Sequence, residues 1–230
     1  VFNNDFANAD WYEKVQYYLW KAWNSFKGNN EHDEHEQNGR TGYFWNGPSF
    51  YFDYGIQGLR PANAVLLTHG HGDHSASLPF VDMEFDATSA TYVPAEIFEQ
   101  TYDYINGLYN MNEGNKRKRK IRLVGVKPGE YHIVEIPNKK GGKGKQYKIQ
   151  VFKCYHSVPT VGYGVYEIRH RLKTEYENMS GVEIGKLKKN NPSIEITEEV
   201  DVPMIVYLGD TKIRVLEDEN NKDIFKFPYI

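Results

Sequence analysis

Apolar positions along the chain follow two periods. Trp11, Val15, Tyr18, Leu19, Ala22, Trp23 and Phe26 recur at helical spacing, which predicts a helix whose aromatic face packs on the core. Gly28-Asn29-Asn30 ends it, and the acidic run Glu31-His32-Asp33-Glu34-His35-Glu36 predicts a solvated loop. Elsewhere the period is that of strands. Ala64-Val65-Leu66-Leu67 and Ile121 to Val126 are short apolar runs, and Tyr147, Ile149 and Val151 alternate with Lys148 and Gln150. Met204-Ile205-Val206-Tyr207-Leu208 is a further compact apolar block. The polar stretch from Arg169 to Ile196, with Lys186, Lys188 and Lys189, reads as a surface helix and turn. Strands alternating with helices indicate a layered α/β arrangement.

Three of these strands end on residues that bind metals. Ala64 to Leu67 runs into Thr68-His69-Gly70-His71-Gly72-Asp73-His74, the alternating strand into Cys154-Tyr155-His156-Ser157, and the block at 204–208 into Gly209-Asp210-Thr211. Neutral imidazole and carboxylate are good ligands for zinc and similar divalent ions. Glycines between the ligands of the first motif let the backbone turn tightly, so that the side chains converge. Alone, His156 reads as a partly buried histidine and Asp210 as a turn residue. Beside the first motif, both read as ligands brought to one edge of a sheet.

With these residues in view, the chain resembles the metallo-β-lactamase superfamily, and within it the tRNase Z-like branch. Leu66 to His74 followed by Leu78-Pro79 matches the superfamily's metal loop, and Phe52-Asp53-Tyr54-Gly55 its Asp-x-Gly element. His156-Ser157-Val158-Pro159-Thr160 with Gly162-Tyr163, and Tyr207-Leu208-Gly209-Asp210-Thr211, are what point to the branch. The resemblance covers Phe50 to the end and implies a metallo-β-lactamase-like αββα sandwich, mixed sheets flanked by helices. It implies two divalent ions, taken as zinc: His69, His71 and His156 on one, Asp73 and His74 on the other, and Asp210 bridging. Asp73 would also orient or deprotonate the attacking water. Thr68, Ser157 and Thr160 would buttress ligands. The implied activity is a metal-dependent RNA endonuclease that trims the 3′ trailer of precursor tRNA by attack of a metal-activated hydroxide.

Two family landmarks have no counterpart. One is a further histidine near the C-terminus, with a glutamate-containing motif before it; the other is a glycine-rich first strand. His32, His35, His132 and His170 match no family position. Phe225-Lys226-Phe227-Pro228-Tyr229-Ile230 reads as the opening of a buried strand, so residues 1–230 are expected to form one domain that lacks its C-terminal end. The resemblance also allows a homodimer.

Composition and charge narrow the picture. With 230 residues and 40% hydrophobic positions, the chain can bury the core of one domain. A single cysteine, Cys154, excludes an internal disulfide framework, suits a reducing compartment, and reads as a small core residue. No apolar run approaches membrane-spanning length, and with no signal-peptide pattern the expectation is a cytoplasmic protein. The net charge is −3, yet residues 112–153 carry thirteen Lys/Arg against three Asp/Glu. Lys116, Arg117, Lys118, Arg119, Lys120, Lys139, Lys140, Lys143 and Lys145 are therefore candidate RNA phosphate contacts, against the plainer reading of two solvated loops. Two other functions compete: a small-molecule hydrolase of the same fold, acting on a lactam, thioester or cyclic nucleotide, and a non-catalytic RNA-binding relic.

Overall fold

Phe50 and Phe52 face one way and Tyr51 the other, and the same alternation at Ala64, Leu66 and Val65 divides the chain's apolar residues between cores. A computed structural model describes residues 32–34, 41–58, 60–81, 89–113, 122–138 and 142–229. The expected N-terminal aromatic helix, the run Lys116 to Lys120, and Lys139 and Lys140 lie outside the described residues.

Among the described residues, one sheet has six strands in chain order: β1 (His32–Glu34), β2 (Tyr43–Trp45), β3 (Phe50–Phe52), β4 (Ala64–Leu66), β5 (Ala90–Pro94) and β6 (Leu123–Val126). β1, β2 and β3 pair antiparallel, and β3 to β6 pair parallel. The second sheet is antiparallel, in the order β10-β9-β8-β7, from β7 (Tyr131–Ile136), β8 (Lys145–Lys153), β9 (Val161–Leu172) and β10 (Thr197–Tyr207). Phe50, Phe52, Leu66 and Tyr92 of the first sheet pack on Tyr147, Ile149, Val151 and Tyr163 of the second. The first sheet's outer face packs on helix α2 (Phe98–Glu113), which follows the short α1 (Gly72–Ser75). The second sheet's outer face holds Phe152, Tyr166 and Val206 against 3-10 helices at Ile213–Leu216 and Glu219–Lys226. The layering is thus two sheets flanked by helices, as expected.

This topology gathers the ligand-bearing loops. β3 and β4 run parallel, so Asp53 and Thr68 leave the first sheet at one edge. β8 and β10 are both antiparallel to β9 and hence parallel to each other, so Lys153 and Tyr207 end together. The Val161 amide donates to the Thr68 carbonyl at 3.0 Å and joins the two edges.

Two local expectations change. The acidic run at 31–36 contributes an edge strand at His32–Glu34 rather than a loop; the backbone of β2 offers a pairing edge, and charged sequence is common on edge strands. Phe225 and Lys226 belong to a 3-10 helix rather than a strand, and the Val206 amide donates to the Tyr229 carbonyl at 2.9 Å. Asp218 caps that helix by accepting from the Asn220 amide. Ile224 and Phe227, three apart, both turn into the core, as a threefold helix dictates.

The β9–β10 ladder continues to Leu172 and Thr197, where most residues are exposed. At its tip, helix α3 (Gly181–Asn190) buries none of its residues and carries Lys186, Lys188 and Lys189, as expected of a surface helix, whereas Arg169 to Leu172, expected in the same helix and turn, extend β9 by pairing with β10. Ser180 and Glu183 form a capping box at its start.

Candidate metal centre

The centre is built on a buried carboxylate. Asp53 follows β3 in a left-handed conformation, φ 58°, which Asp tolerates better than most residues. Its side chain is fully enclosed and accepts from the Thr68 amide at 2.7 Å, the Thr68 hydroxyl at 2.9 Å, the Tyr207 hydroxyl at 3.0 Å and His74 Nδ1 at 2.7 Å.

These bonds fix which ring nitrogens face the site. With its Nδ1–H on Asp53, His74 presents Nε2, which lies 3.4 Å from Asp73 Oδ2 and 3.5 Å from Asp210 Oδ2. The Thr68 hydroxyl, donating to Asp53, accepts from His69 Nδ1 at 3.0 Å and leaves His69 Nε2 free to face inward. That atom lies 3.1 Å from His71 Nδ1, which is 3.3 Å from His156 Nε2. Two neutral ring nitrogens this close have facing lone pairs and repel unless a cation or proton lies between them. Ligands around a tetrahedral ion bound at about 2.0–2.1 Å stand about 3.3–3.4 Å apart, close to the 3.1 and 3.3 Å of these two pairs.

Among the described residues, two groups could hold a metal: His69, His71 and His156, and His69, His74 and Asp210, each with its ligand atoms within 4.8 Å of one another. His69 belongs to both, and Asp73 joins the second through His74. All six expected ligands therefore converge. His132 and His170 do not: His132 lies by Glu130, and His170 by Lys143 and Glu199.

Electrostatics follow the same division. Burial, helped by the nearby His74 imidazole, lowers His69 to about 4, so it is neutral and able to donate at neutral pH. Burial also opposes a charge on His74, but the hydrogen bond to Asp53 and the surrounding carboxylates outweigh it and raise this imidazole. Asp73 and Asp210 have side chains 45% and 55% exposed, so the carboxylates form the open side of the centre.

Backbone contacts hold the first motif in place. The Asp73 and His74 carbonyls accept from the Thr41 and Tyr54 amides, both at 2.7 Å. A Cβ on Gly55 would stand 1.5 Å from the Asp73 carbonyl oxygen, so only glycine lets the chain pass beneath the loop. The buried Tyr163 hydroxyl donates to the Leu67 carbonyl at 2.7 Å.

Of the residues expected to buttress ligands, Thr68 does so, whereas the Thr160 hydroxyl donates to the Val158 carbonyl within its own turn and Ser157 is exposed. Cys154 is a core residue whose thiol burial pushes up to about 12. Lys145 is tied to Glu167 at 2.9 Å, and Lys143 lies against His170. The role of Asp53 as the anchor of two histidines, with Tyr207 as its third side-chain partner, goes beyond the sequence reading. The available signal was a lone acid directly after the apolar strand Phe50-Tyr51-Phe52.

A tRNase Z of Arabidopsis thaliana is 31% identical over 170 residues, 70% of this chain and 54% of that protein. A chloroplastic tRNase Z of the same plant is 26% identical over 170 residues, 70% of this chain and 43% of that protein. A nuclear ribonuclease Z of Triticum aestivum is 28% identical over 141 residues, 59% of this chain and 72% of the relative. The chain thus spans about half the length of the two Arabidopsis relatives. No family model matches it. By sequence, the chain is similar to proteins named tRNase Z and ribonuclease Z, at modest identity.

Proposed function

We propose that the chain carries the metal-binding core of a tRNase Z-type endoribonuclease that cleaves the 3′ trailer from precursor tRNA. One observation carries the reading: six candidate ligand side chains from three strand ends gather at one place, in a chain similar to proteins named tRNase Z and ribonuclease Z. His69, His71 and His156 would hold one divalent ion, Asp73 and His74 a second, and Asp210 both, with zinc suited to this nitrogen and oxygen set. Bound there, the ions supply an activated nucleophile at neutral pH and neutralise charge developing on phosphate oxygens.

The chain's own residues do the rest. Asp53 keeps His74 and, through Thr68, His69 in the tautomers that present Nε2. Asp73, at the open side, accepts a hydrogen bond from the incoming water, orients it for attack at phosphorus and takes its proton. The exposed β9–β10 ladder and α3 suit a large substrate that contacts surface beyond the centre.

The test is cleavage of a precursor tRNA with a 3′ trailer, run beside a chromogenic lactam and bis(p-nitrophenyl) phosphate. Cleavage at the trailer that stops with chelator and returns with zinc is the expected result. Lactam hydrolysis without RNA cleavage, by metal-replete protein, would instead favour a small-molecule hydrolase.

A further inference from the structure

A cleft of about 370 Å³ opens beside His156, within the size range of small-ligand sites. Its lining brings together three cations from two separate stretches: Lys153 at the end of β8, and Lys212 and Arg214 at the start of a 3-10 helix. Tyr155 stands among them, with Lys153 Nζ 5.1 Å and Arg214 Cζ 4.9 Å from its ring centroid. Glu96 is the one acid in that lining. Among the described residues, none of the three cations has a carboxylate oxygen within 4.0 Å.

The cations are pre-positioned. The Tyr155 amide donates to the Thr211 hydroxyl and the Lys212 amide to the Tyr155 carbonyl, both at 2.9 Å, which joins the two stretches. The buried Asn221 side chain holds Lys153 at both backbone groups, accepting from its amide at 3.2 Å and donating to its carbonyl at 2.7 Å. The Tyr155 hydroxyl donates to Asp218, which fixes the ring on which Lys153 and Arg214 rest. Long basic side chains held against an aromatic ring have less freedom to lose on closing around an anion. A guanidinium adds the fork that matches a phosphate edge.

We infer that this cleft is a phosphate-binding subsite, in which Lys153, Lys212 and Arg214 grip the RNA backbone at the nucleotide adjoining the scissile phosphodiester. The inference rests on the reading of the metal centre as an RNA phosphodiesterase. His156 belongs to both places, as a ligand of the centre and as part of the cleft's wall, so a backbone phosphate in the cleft lies next to the bond to be cut. The occupant is a polynucleotide phosphodiester, since the lining offers cations and one aromatic ring but no donor pattern that would read a base.

The test is binding of a fluorescein-labelled RNA hexanucleotide, followed by anisotropy at several salt concentrations, which reads the cleft whether or not the RNA is cut. Lys212→Ala with Arg214→Ala should weaken binding about tenfold or more and reduce the salt slope by about two. Adding Lys153→Ala should extend both effects. Lys212→Arg with Arg214→Lys, which keeps the charge, should largely restore affinity. Metal content and turnover of bis(p-nitrophenyl) phosphate should be unchanged in all of them. Unchanged affinity and salt slope in the triple variant would overturn the subsite and leave the proposed activity standing. Loss of binding in that variant, from a wild type that cuts no precursor tRNA, would uphold the subsite and sink the activity. An inorganic phosphate arm separates the two sources of the same chemistry: phosphate binding that depends on the three cations, without RNA binding, would also overturn it.

Discussion

Asp53 and His74 meet at 2.7 Å, Oδ2 to Nδ1, in the interior of the protein, with the other face of the imidazole turned to Asp73 and Asp210. One carboxylate therefore sets the donor atom of His74 directly and that of His69 through the Thr68 hydroxyl. Removing its charge reaches both halves of the centre at once.

Asp53→Asn should lower metal affinity by about 10- to 100-fold, the usual cost of losing the partner that orients a ligand. Competition with a fluorescent zinc chelator reads this. Tyr207→Phe removes only one donor to the same carboxylate and should have the smaller effect. Equal metal affinity in wild type and Asp53→Asn would reduce Asp53 to a structural role.

Gly209→Ala should damage both stability and the centre. Gly209 has φ +59°, and a Cβ there would lie 2.6 Å from the Thr68 hydroxyl oxygen. The left-handed conformation alone costs an alanine about 1–2 kcal/mol, and the contact adds to it by displacing Thr68 from Asp53 and His69. A lower melting temperature together with weaker metal binding is expected. A loss of stability with normal metal affinity would mean that Thr68 does not orient His69.

Metal removal should expose how far the fold leans on its ligands. A ligand present at about a hundredfold over its Kd stabilises the folded state by about 2.7 kcal/mol. Chelation should therefore lower the melting temperature of the wild type. His156→Ala should lose hydrolysis to background, retain the wild-type circular dichroism spectrum, and respond less to chelator. Full zinc content with normal activity in that variant would remove His156 from the centre.

Glu167 gives the expected acid dependence. Burial opposes its ionisation, but Lys145 at 2.9 Å and Arg169 outweigh that and hold its carboxyl below the usual range. A folded value below the unfolded one means that the stabilisation is fully present above the unfolded value, about 4.3. It is lost as pH falls through the folded value. Glu167→Gln should cost about 2 kcal/mol at pH 7, and the gap from wild type should narrow as pH falls below the unfolded value and through the folded one. A gap of constant size across that range would mean the charge contributes nothing.

Legibility in the sequence followed the range of the interactions involved. His69, His71, Asp73 and His74 could be read directly, because one turn between glycines brings them together. The strand at Ala64–Leu66, the 147–151 part of β8 and the 204–207 part of β10 could be read because two-residue alternation and apolar runs survive without tertiary context, whereas the polar, exposed start of β10 carried neither signal. His156 and Asp210 could be read as ligands only in company with the first motif, since their meeting depends on β8 and β10 running the same way. The work of Asp53 was hidden for the same reason. Its partners Thr68 and Tyr207 stand 15 and 154 positions away, and nothing local marks them. The 3-10 helix at Glu219–Lys226 was masked by its own apolar residues, which suit a short strand equally well until the core beneath selects Ile224 and Phe227.

Where Val161 meets Thr68, the centre sits astride a seam between the two sheets. His69, His71, Asp73 and His74 belong to the first sheet's edge, while His156 and Asp210 belong to the second's. An ion gripped by both would be a rivet through the sandwich, stabilising the folded chain by its binding free energy because the two sets of ligands meet only once the chain has folded. A chain with one buried cysteine, Cys154, would obtain from coordination the cross-link that sulfur chemistry cannot give it.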